Sequence, residues 1–519
     1  MHINIRFSNV SIPGIVSLLT ILMFAAVTAD ASTYLEIGDE AYTLLSRLEA
    51  EGVVRSGLLN TRPLSRTEAI RLLREAEQNS AGSTAFIKSL VQDLRQRLEP
   101  NGTREERPKI ITAMYANYIN TISSVRTLTY SPYGTKEKEQ AMNYNNNGDL
   151  YSRGSNERLG INARMEDLGM VSFMLNPELR TASSGSSEMV LKEGYAIFDI
   201  GWDLIAGKAS QWWGPGYHGG ILLTNNAEPF TMLELTNPTQ GVLPGFLKYL
   251  GPYRFTFFVT TLEKDRTDVA EPYLWGMRYD FKPHQSLEIG LERTALLGGQ
   301  GRPTDRNTWL NSFTGRGDHV TNASGYDLSE PGDQRAGFDL KLTLPFEVQP
   351  IQIYMEADGE DGYHILPSQW AYLAGLYLPR VLSVERLEFR FEWAQSYDPV
   401  STRPSAWYTH HVYQSGYTYN GTIIGHHMGT DSRDVFTELT CRFPEQKARV
   451  SLSFDRTEHN MSSDIHELEH EIAIRTALKA SDAVDLSVAY GYGWIDNAEN
   501  VSGAEQRSHS VNGTITYRF

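Results

Sequence analysis

From Ile110 to Phe519 the chain alternates apolar and polar residues with a period of two, the pattern of strands whose two faces meet different surroundings. Tyr273, Trp275, Met277, Tyr279 and Phe281 alternate with Leu274, Gly276, Arg278, Asp280 and Lys282. Ala336, Phe338, Leu340, Leu342 and Leu344 alternate in the same way with Arg335, Gly337, Asp339, Lys341 and Thr343. The pattern predicts strands at 110–122, 157–166, 169–180, 192–200, 202–212, 230–237, 250–262, 272–282 and 285–296. It predicts more at 334–345, 350–359, 370–379, 385–396, 433–443, 447–457, 467–479, 483–494 and 508–519. Residues 34–100 follow the helical period instead. Ala41, Leu44, Leu45 and Leu48 mark a first helix, and Ser65 and Glu68 form a capping box ahead of Ile70, Leu72 and Leu73. Phe86, Leu90, Val91, Leu94 and Leu98 mark a third helix.

Alternation alone does not separate a soluble sandwich from a membrane barrel. The strands are too many for one sandwich, and Tyr, Trp and Phe cluster near their ends, as in an aromatic girdle. The last segment (Val511, Gly513, Ile515, Tyr517, Phe519) alternates to a terminal aromatic, which resembles the closing strand of outer-membrane barrels. The predicted fold is an all-β transmembrane protein, an 18-stranded antiparallel outer-membrane β-barrel with a small N-terminal helical bundle. Connections after odd strands include the long 123–156, 297–333 and 397–432, whereas most after even strands are tight. Long loops face outward in such barrels, so the helical bundle is expected in the periplasm.

The 519 residues carry 47 Lys+Arg against 63 Asp+Glu, a net charge of −16, with a mean hydropathy of −0.37. Hydropathy by itself reads as soluble, but barrel strands of about 10 residues dilute the apolar signal. The acidic balance argues against nucleic acid as a partner. A single cysteine, Cys441, excludes a disulfide framework and alternates onto the apolar face. Residues 1–31 read as a secretory signal: Arg6, an apolar run from Ile15 to Val27, then Ala29-Asp30-Ala31 before Ser32. The expected division is signal 1–31, periplasmic helical bundle 32–108 and outer-membrane barrel 109–519.

The inward faces mix both charge signs, with Arg278, Asp280, Lys282, Glu292, Asp339, Arg386, Glu388, Arg390, Glu392 and Arg475 among them. Interleaved charges suit cross-strand ion pairs and loops folded into the lumen; rings of one sign would suit an ion-selective pore. No cofactor or metal is expected. His410-His411 and His426-His427 read as loop histidines satisfied by hydrogen bonds, and His466 with His470 straddles a strand start. No nucleophile turn is recognisable, so the chain is not expected to be an enzyme. A porin or a barrel-embedded hydrolase stays open on these residues.

One segment, GKASQWWGPGYHGGILLTNNAEPF at 207–230, joins paired tryptophans to a Gly-Pro-Gly turn. Its aromatic faces and nearby amides are what sugar rings need, although a packed interface or plug core uses the same residues. The segment resembles the hallmark of the capsule assembly protein Wzi family. YQSGYTYNGTIIGHHMGTDSRD at 413–434 resembles that family's Gly-Tyr…Ile-Gly-His…Gly-Asp-Ser motif, and 363–376 its Pro-x-x-Trp-x-Tyr-x-x-Gly strand entry. The resemblance implies an eighteen-stranded, loop-plugged barrel that acts as a surface lectin. Such a lectin binds exported capsular or extracellular polysaccharide and anchors it to the cell. Trp213, Tyr217, Trp309 and Tyr417 are then the stacking candidates, with Asn225, Asp318 and Asp431 as polar partners. Trp212, Gly214, Pro215 and Gly216 are expected to be structural. Besides polysaccharide and outer-membrane lipid, periplasmic or export-machinery proteins are open as partners of the helical bundle, and a monomer is expected.

Overall fold

Eighteen antiparallel strands pair in sequence order and close on themselves. The structure is a computed structural model that describes residues 31–99, 110–130, 133–166, 168–315, 332–363, 366–401 and 403–519. Residues 1–30 of the expected signal segment and Asp318 lie outside these residues. The strands are β1 (Ile111–Thr121), β2 (Gly154–Met165), β3 (Val171–Ala182), β4 (Ser187–Asp199), β5 (Asp203–Ala209) and β6 (Phe230–Thr236). There follow β7 (Pro252–Thr261), β8 (Tyr273–His284), β9 (Leu287–Leu297), β10 (Asp333–Leu344), β11 (Ile351–Tyr363) and β12 (Leu366–Leu378). The last six are β13 (Leu387–Gln395), β14 (Ser432–Phe443), β15 (Ala448–His459), β16 (Glu467–Lys479), β17 (Val484–Asp496) and β18 (Glu505–Arg518). Pairing of β1 with β18, from Ala113↔Arg518 to Thr121↔Ser510, seals the ring. Closure gives the wall's backbone donors and acceptors partners without water, the condition for crossing a bilayer.

The two faces of each strand are sorted by chemistry. On β11, Ile353 and Met355 point outward and are exposed, whereas Tyr354, Glu356 and Asp358 are buried in the lumen. On β16, Ile472 and Ile474 are exposed and Glu469 and Glu471 are buried. This inverts the usual order of a soluble core, and it fits an apolar exterior solvent. Arg386, expected on the inward face, lies instead in the turn before β13, where it pairs with Glu445 at 2.7 Å.

In their described residues, one mouth carries the turns 166–170, 200–202, 285–286, 444–447 and 480–483, and the other carries the long loops 122–153, 210–229, 298–332 and 396–431. Helices α1 (Glu40–Ala50), α2 (Arg66–Asn79) and α3 (Ala85–Leu98) sit at the short-turn mouth. Asp39 caps α1 through the Ala41 N–H, and Ser65 caps α2 through the Glu68 N–H, as the capping box predicts. Leu44, Leu48, Leu72, Leu90 and Leu94 form the three helices' shared core. The unit is tied to the rim: Glu40 reaches Arg442 at 3.2 Å and Arg449 at 3.0 Å, and Lys447 donates to Gln96 at 2.9 Å.

A fourth helix, α4 (Arg306–Thr314), belongs to the loop after β9. Asp305 caps it, and its Phe313 covers the outward face of Trp275 with ring centroids 4.6 Å apart. The indole N–H of Trp275 donates to Ser312 at 3.0 Å.

Candidate functional site

The lumen is filled from both mouths. The segment linking α1 to α2 rises into the barrel, where Thr61 and Arg62 pair in antiparallel register with Trp213 and Trp212. The alternation predicts a wall strand at 202–212 that runs to the first of the two tryptophans. Instead β5 stops at Ala209 and both indoles turn into the lumen, because two consecutive apolar side chains cannot both face lipid in a strand of period two. The Arg62 guanidinium lies over the Trp212 ring at 5.5 Å and the Tyr42 ring at 5.0 Å.

Charge organises the contact below this pairing. Arg278 on β8 reaches Asp280 at 2.7 Å, Asp339 at 2.6 Å and also Glu292, and it donates to the Thr61 hydroxyl at 2.6 Å. Asn60 donates its backbone N–H to Glu288 at 2.9 Å and its amide to Asp339 at 2.6 Å. At the end of α1, Glu49 receives Lys282 at 2.6 Å and Lys341 at 2.9 Å. Burial by itself would raise the Glu49 carboxyl, but the two ammonium groups prevail and hold it at about 2. Because the folded value lies below the ordinary 4.5, this contact adds stability above that range and loses it as the pH falls toward 2. Glu49→Gln should cost about 3–5 kcal/mol of docking, the range for breaking a buried ion pair. Limited proteolysis of 32–99 at neutral pH should show it, as faster cleavage than in the parent protein.

The loop after β5 descends from the other mouth and is held by the wall's carboxylates. Glu392 accepts the backbone N–H groups of Tyr217 (2.5 Å) and His218 (2.8 Å), and Glu356 accepts that of Ile221 at 2.7 Å. Gly214 has φ +100°, and a Cβ there would lie 2.5 Å from Glu356 Oε2; a Cβ on Gly216 would lie 1.9 Å from the Gly219 carbonyl. The loop after β13 packs on top. The Thr224 N–H donates to the Ile424 carbonyl at 3.0 Å, and the Tyr408 hydroxyl donates to the Ile221 carbonyl. Arg335 spreads over the Tyr417 ring at 4.2 Å. The loop after β1 adds a hairpin, Arg126–Tyr130 with Thr135–Glu139, whose Arg126 binds Glu467 at 2.9 Å and Glu469 at 3.0 Å.

Space remains along one side of the lumen. A chamber of about 640 Å³ runs from Lys447 and Asp485 at the short-turn mouth, past Asn117, Asn162 and Asn512, to Asn145, Asn146, Asn147 and Asn225. The Asn225 amide donates to the Asn145 carbonyl and to Asn147 Oδ1, both at 3.0 Å.

The residues expected to contact sugar are therefore dispersed. Trp213 is fully buried, with Phe258 edge-on at 5.5 Å, and Tyr417 is fully buried against Arg335 and Tyr408. Neither leaves a ring face for a sugar. Asp431 is buried and accepts the Ser462 hydroxyl at 2.6 Å, so it fastens a loop. Tyr217 and Asn225 face the interior, with Arg390 over the Tyr217 ring at 4.3 Å. Trp309 lies on α4 against Tyr273 and Phe313, outside the barrel wall, where it fits an interfacial anchor. Aromatic, glycine-rich sequence reads alike in a packed plug and in an open binding face; packing partners decide which.

His426 fits the expectation of a satisfied loop histidine, since its Nδ1 accepts the Met428 N–H at 3.2 Å. His427 departs from it: both ring nitrogens are buried without a hydrogen-bond partner among the described residues. At the outer tips, Tyr133 and His411 approach with ring centroids 6.4 Å apart. The hairpin that carries Tyr133 also carries exposed Lys136 and Lys138, with Lys138 donating to the Asn420 carbonyl at 2.9 Å.

A family model described as capsule assembly protein Wzi matches residues 131–510. A Klebsiella pneumoniae protein, described as an uncharacterized 55.8 kDa protein in the cps region, is 33% identical over 172 residues. That match spans 33% of this chain and 33% of the relative, about a third of its length. Among solved structures, the chain is similar to Escherichia coli Wzi, described as an outer membrane protein involved in group 1 capsule assembly and a carbohydrate-binding β-barrel. The similarity has a TM-score of 0.69 at 20% identity, covering 95% of this chain and 100% of that one.

Proposed function

The chain belongs to the capsule assembly protein Wzi family, and from that premise we propose that it is an outer-membrane lectin that holds exported capsular or extracellular polysaccharide at the cell surface. The observation that carries this reading is the interlocked lumen, in which Thr61 and Arg62 pair with Trp213 and Trp212. A barrel filled in this way offers its outer loops as a lid, and a diffusion porin would keep an aqueous path. The helical unit then faces the periplasm and the long loops face the medium. The role is binding; a hydrolase would instead turn glycan over and lose that turnover with one Ser or His substitution.

The glycan contact belongs on the loop tips, where Tyr133 and His411 are half-buried aromatic rings and exposed Lys138 and Asn420 offer polar groups. Each contact is weak, and a repeating polymer multiplies it by presenting many copies of its unit. Deleting the gene should move polysaccharide from the cell-attached to the shed fraction. Unchanged attachment would overturn the anchoring role. Tyr133→Ala with His411→Ala should weaken retention of purified polysaccharide by about ten-fold, equivalent to roughly 1.4 kcal/mol, with the folded barrel retained. Surface plasmon resonance on the immobilised polymer measures it.

A further inference from the structure

We propose that His218, His427, Asp434 and Asp455 bind one first-row divalent cation, with zinc the best match, and that this cation fastens two plug loops to the barrel wall. Each residue offers one ligand atom, and the four atoms lie within 4.8 Å of one another. His218 comes from the loop after β5 and His427 from the loop after β13, whereas Asp434 stands on β14 and Asp455 on the adjacent β15. His218 Nε2 is 2.8 Å from Asp455 Oδ2 and 3.9 Å from Asp434 Oδ2. The rings of His218 and His427 meet edge to face with centroids 4.6 Å apart.

Two imidazole nitrogens with two carboxylate oxygens suit a tetrahedral cation of borderline softness better than calcium or magnesium, which take mainly oxygen. The groups also need a ligand. Both ring nitrogens of His427 and Asp455 Oδ1 are buried with no hydrogen-bond partner among the described residues. Asp434 and Asp455 are at least nine-tenths buried side by side; Asp434 accepts the Thr457 hydroxyl at 2.9 Å, but two adjacent buried carboxylates are costly without a cation to balance them. The surrounding wall carries Glu392, Glu438 and Glu471 together with Arg390, Arg449 and Arg475, so the two aspartates themselves supply the charge that balances the cation. With four protein ligands the site is closed, which makes it structural. His218, His427 and Asp434 all lie in the two segments 207–230 and 413–434, so the cation would join those segments to each other and to the wall.

The test uses the full-length protein without a histidine tag, in detergent, stripped with chelator and then dialysed against zinc or cobalt(II). One zinc per chain is expected by elemental analysis, and cobalt should give the visible absorption of a tetrahedral nitrogen–oxygen site. His427→Gln and Asp455→Asn should each weaken zinc binding by about 100-fold or more, given that even outer-shell losses cost 10–100-fold. His466→Gln, away from the cluster, should bind zinc like the parent. Heat-modifiable gel mobility reports the folded barrel, and His427→Gln, in a loop, serves if Asp455→Asn fails to fold. A parent protein that retains no zinc, or folded cluster variants that bind it as the parent does, would overturn the site.

Discussion

Arg278→Met should leave most of the protein unable to hold its folded barrel. The guanidinium reaches Asp280, Glu292 and Asp339, all in the lumen wall, and also binds Thr61 of the inserted segment. All four charged groups are buried. Removing one partner of a buried pair costs about 3–5 kcal/mol, because the remaining charge has neither water nor a counter-ion. Here three carboxylates lose their common cation together, and Glu356 and Asp358 stand close by. A loss at or above that range is comparable to the whole stability of an ordinary domain, about 5–15 kcal/mol. The folded, heat-modifiable fraction on semi-native gels should fall sharply, and the urea midpoint should drop with it. Adding Asp339→Asn to Arg278→Met should recover part of the loss, since it removes one of the uncompensated charges. An unchanged midpoint in the single variant would show that these carboxylates do not depend on Arg278.

The second large effect concerns conductance. The parent protein should show no large steady current in a planar bilayer. Replacing 214–227 with a short Gly-Ser linker should raise the current about ten-fold or more over background, since barrels of this strand number hold an aqueous channel when unfilled. The deleted stretch roofs the 640 Å³ chamber through Asn225 and holds the loop after β13 through Thr224 and Asn226. Its removal also uncovers Glu356, Glu392 and Glu438, so the current should favour cations. Large steady currents from the parent would favour a channel over a plugged lectin. A silent variant would place the seal at the Thr61–Arg62 insertion.

The architecture was legible because a strand's two faces alternate residue by residue. All eighteen predicted segments correspond to strands, and the charges on β8, β10 and β16 face the lumen as their alternation requires. The candidate site was far less legible. Trp213 sits against Phe258, Tyr417 under Arg335, and Asp431 beside Ser462, contacts made across the fold that leave no local pattern. The motif at 207–230 marked the right segment, but spacing alone could not say that its indoles pair with Thr61 and Arg62. His427 carried a weak signal as one of two adjacent histidines; its missing hydrogen bonds and its approach to His218, Asp434 and Asp455 required coordinates.

The sequence by itself determined strand number, the outward apolar face, the charged lumen and the helical character of the N-terminal unit. Each of these follows from a period set by backbone geometry within a few residues. Only the tertiary structure decided that the lumen is filled from both ends, that the paired tryptophans leave the wall, and that two loops and two strands bring His218, His427, Asp434 and Asp455 together. Those outcomes depend on which distant charges and ring faces meet once the sheet closes, and barrel closure sets those distances for the chain as a whole.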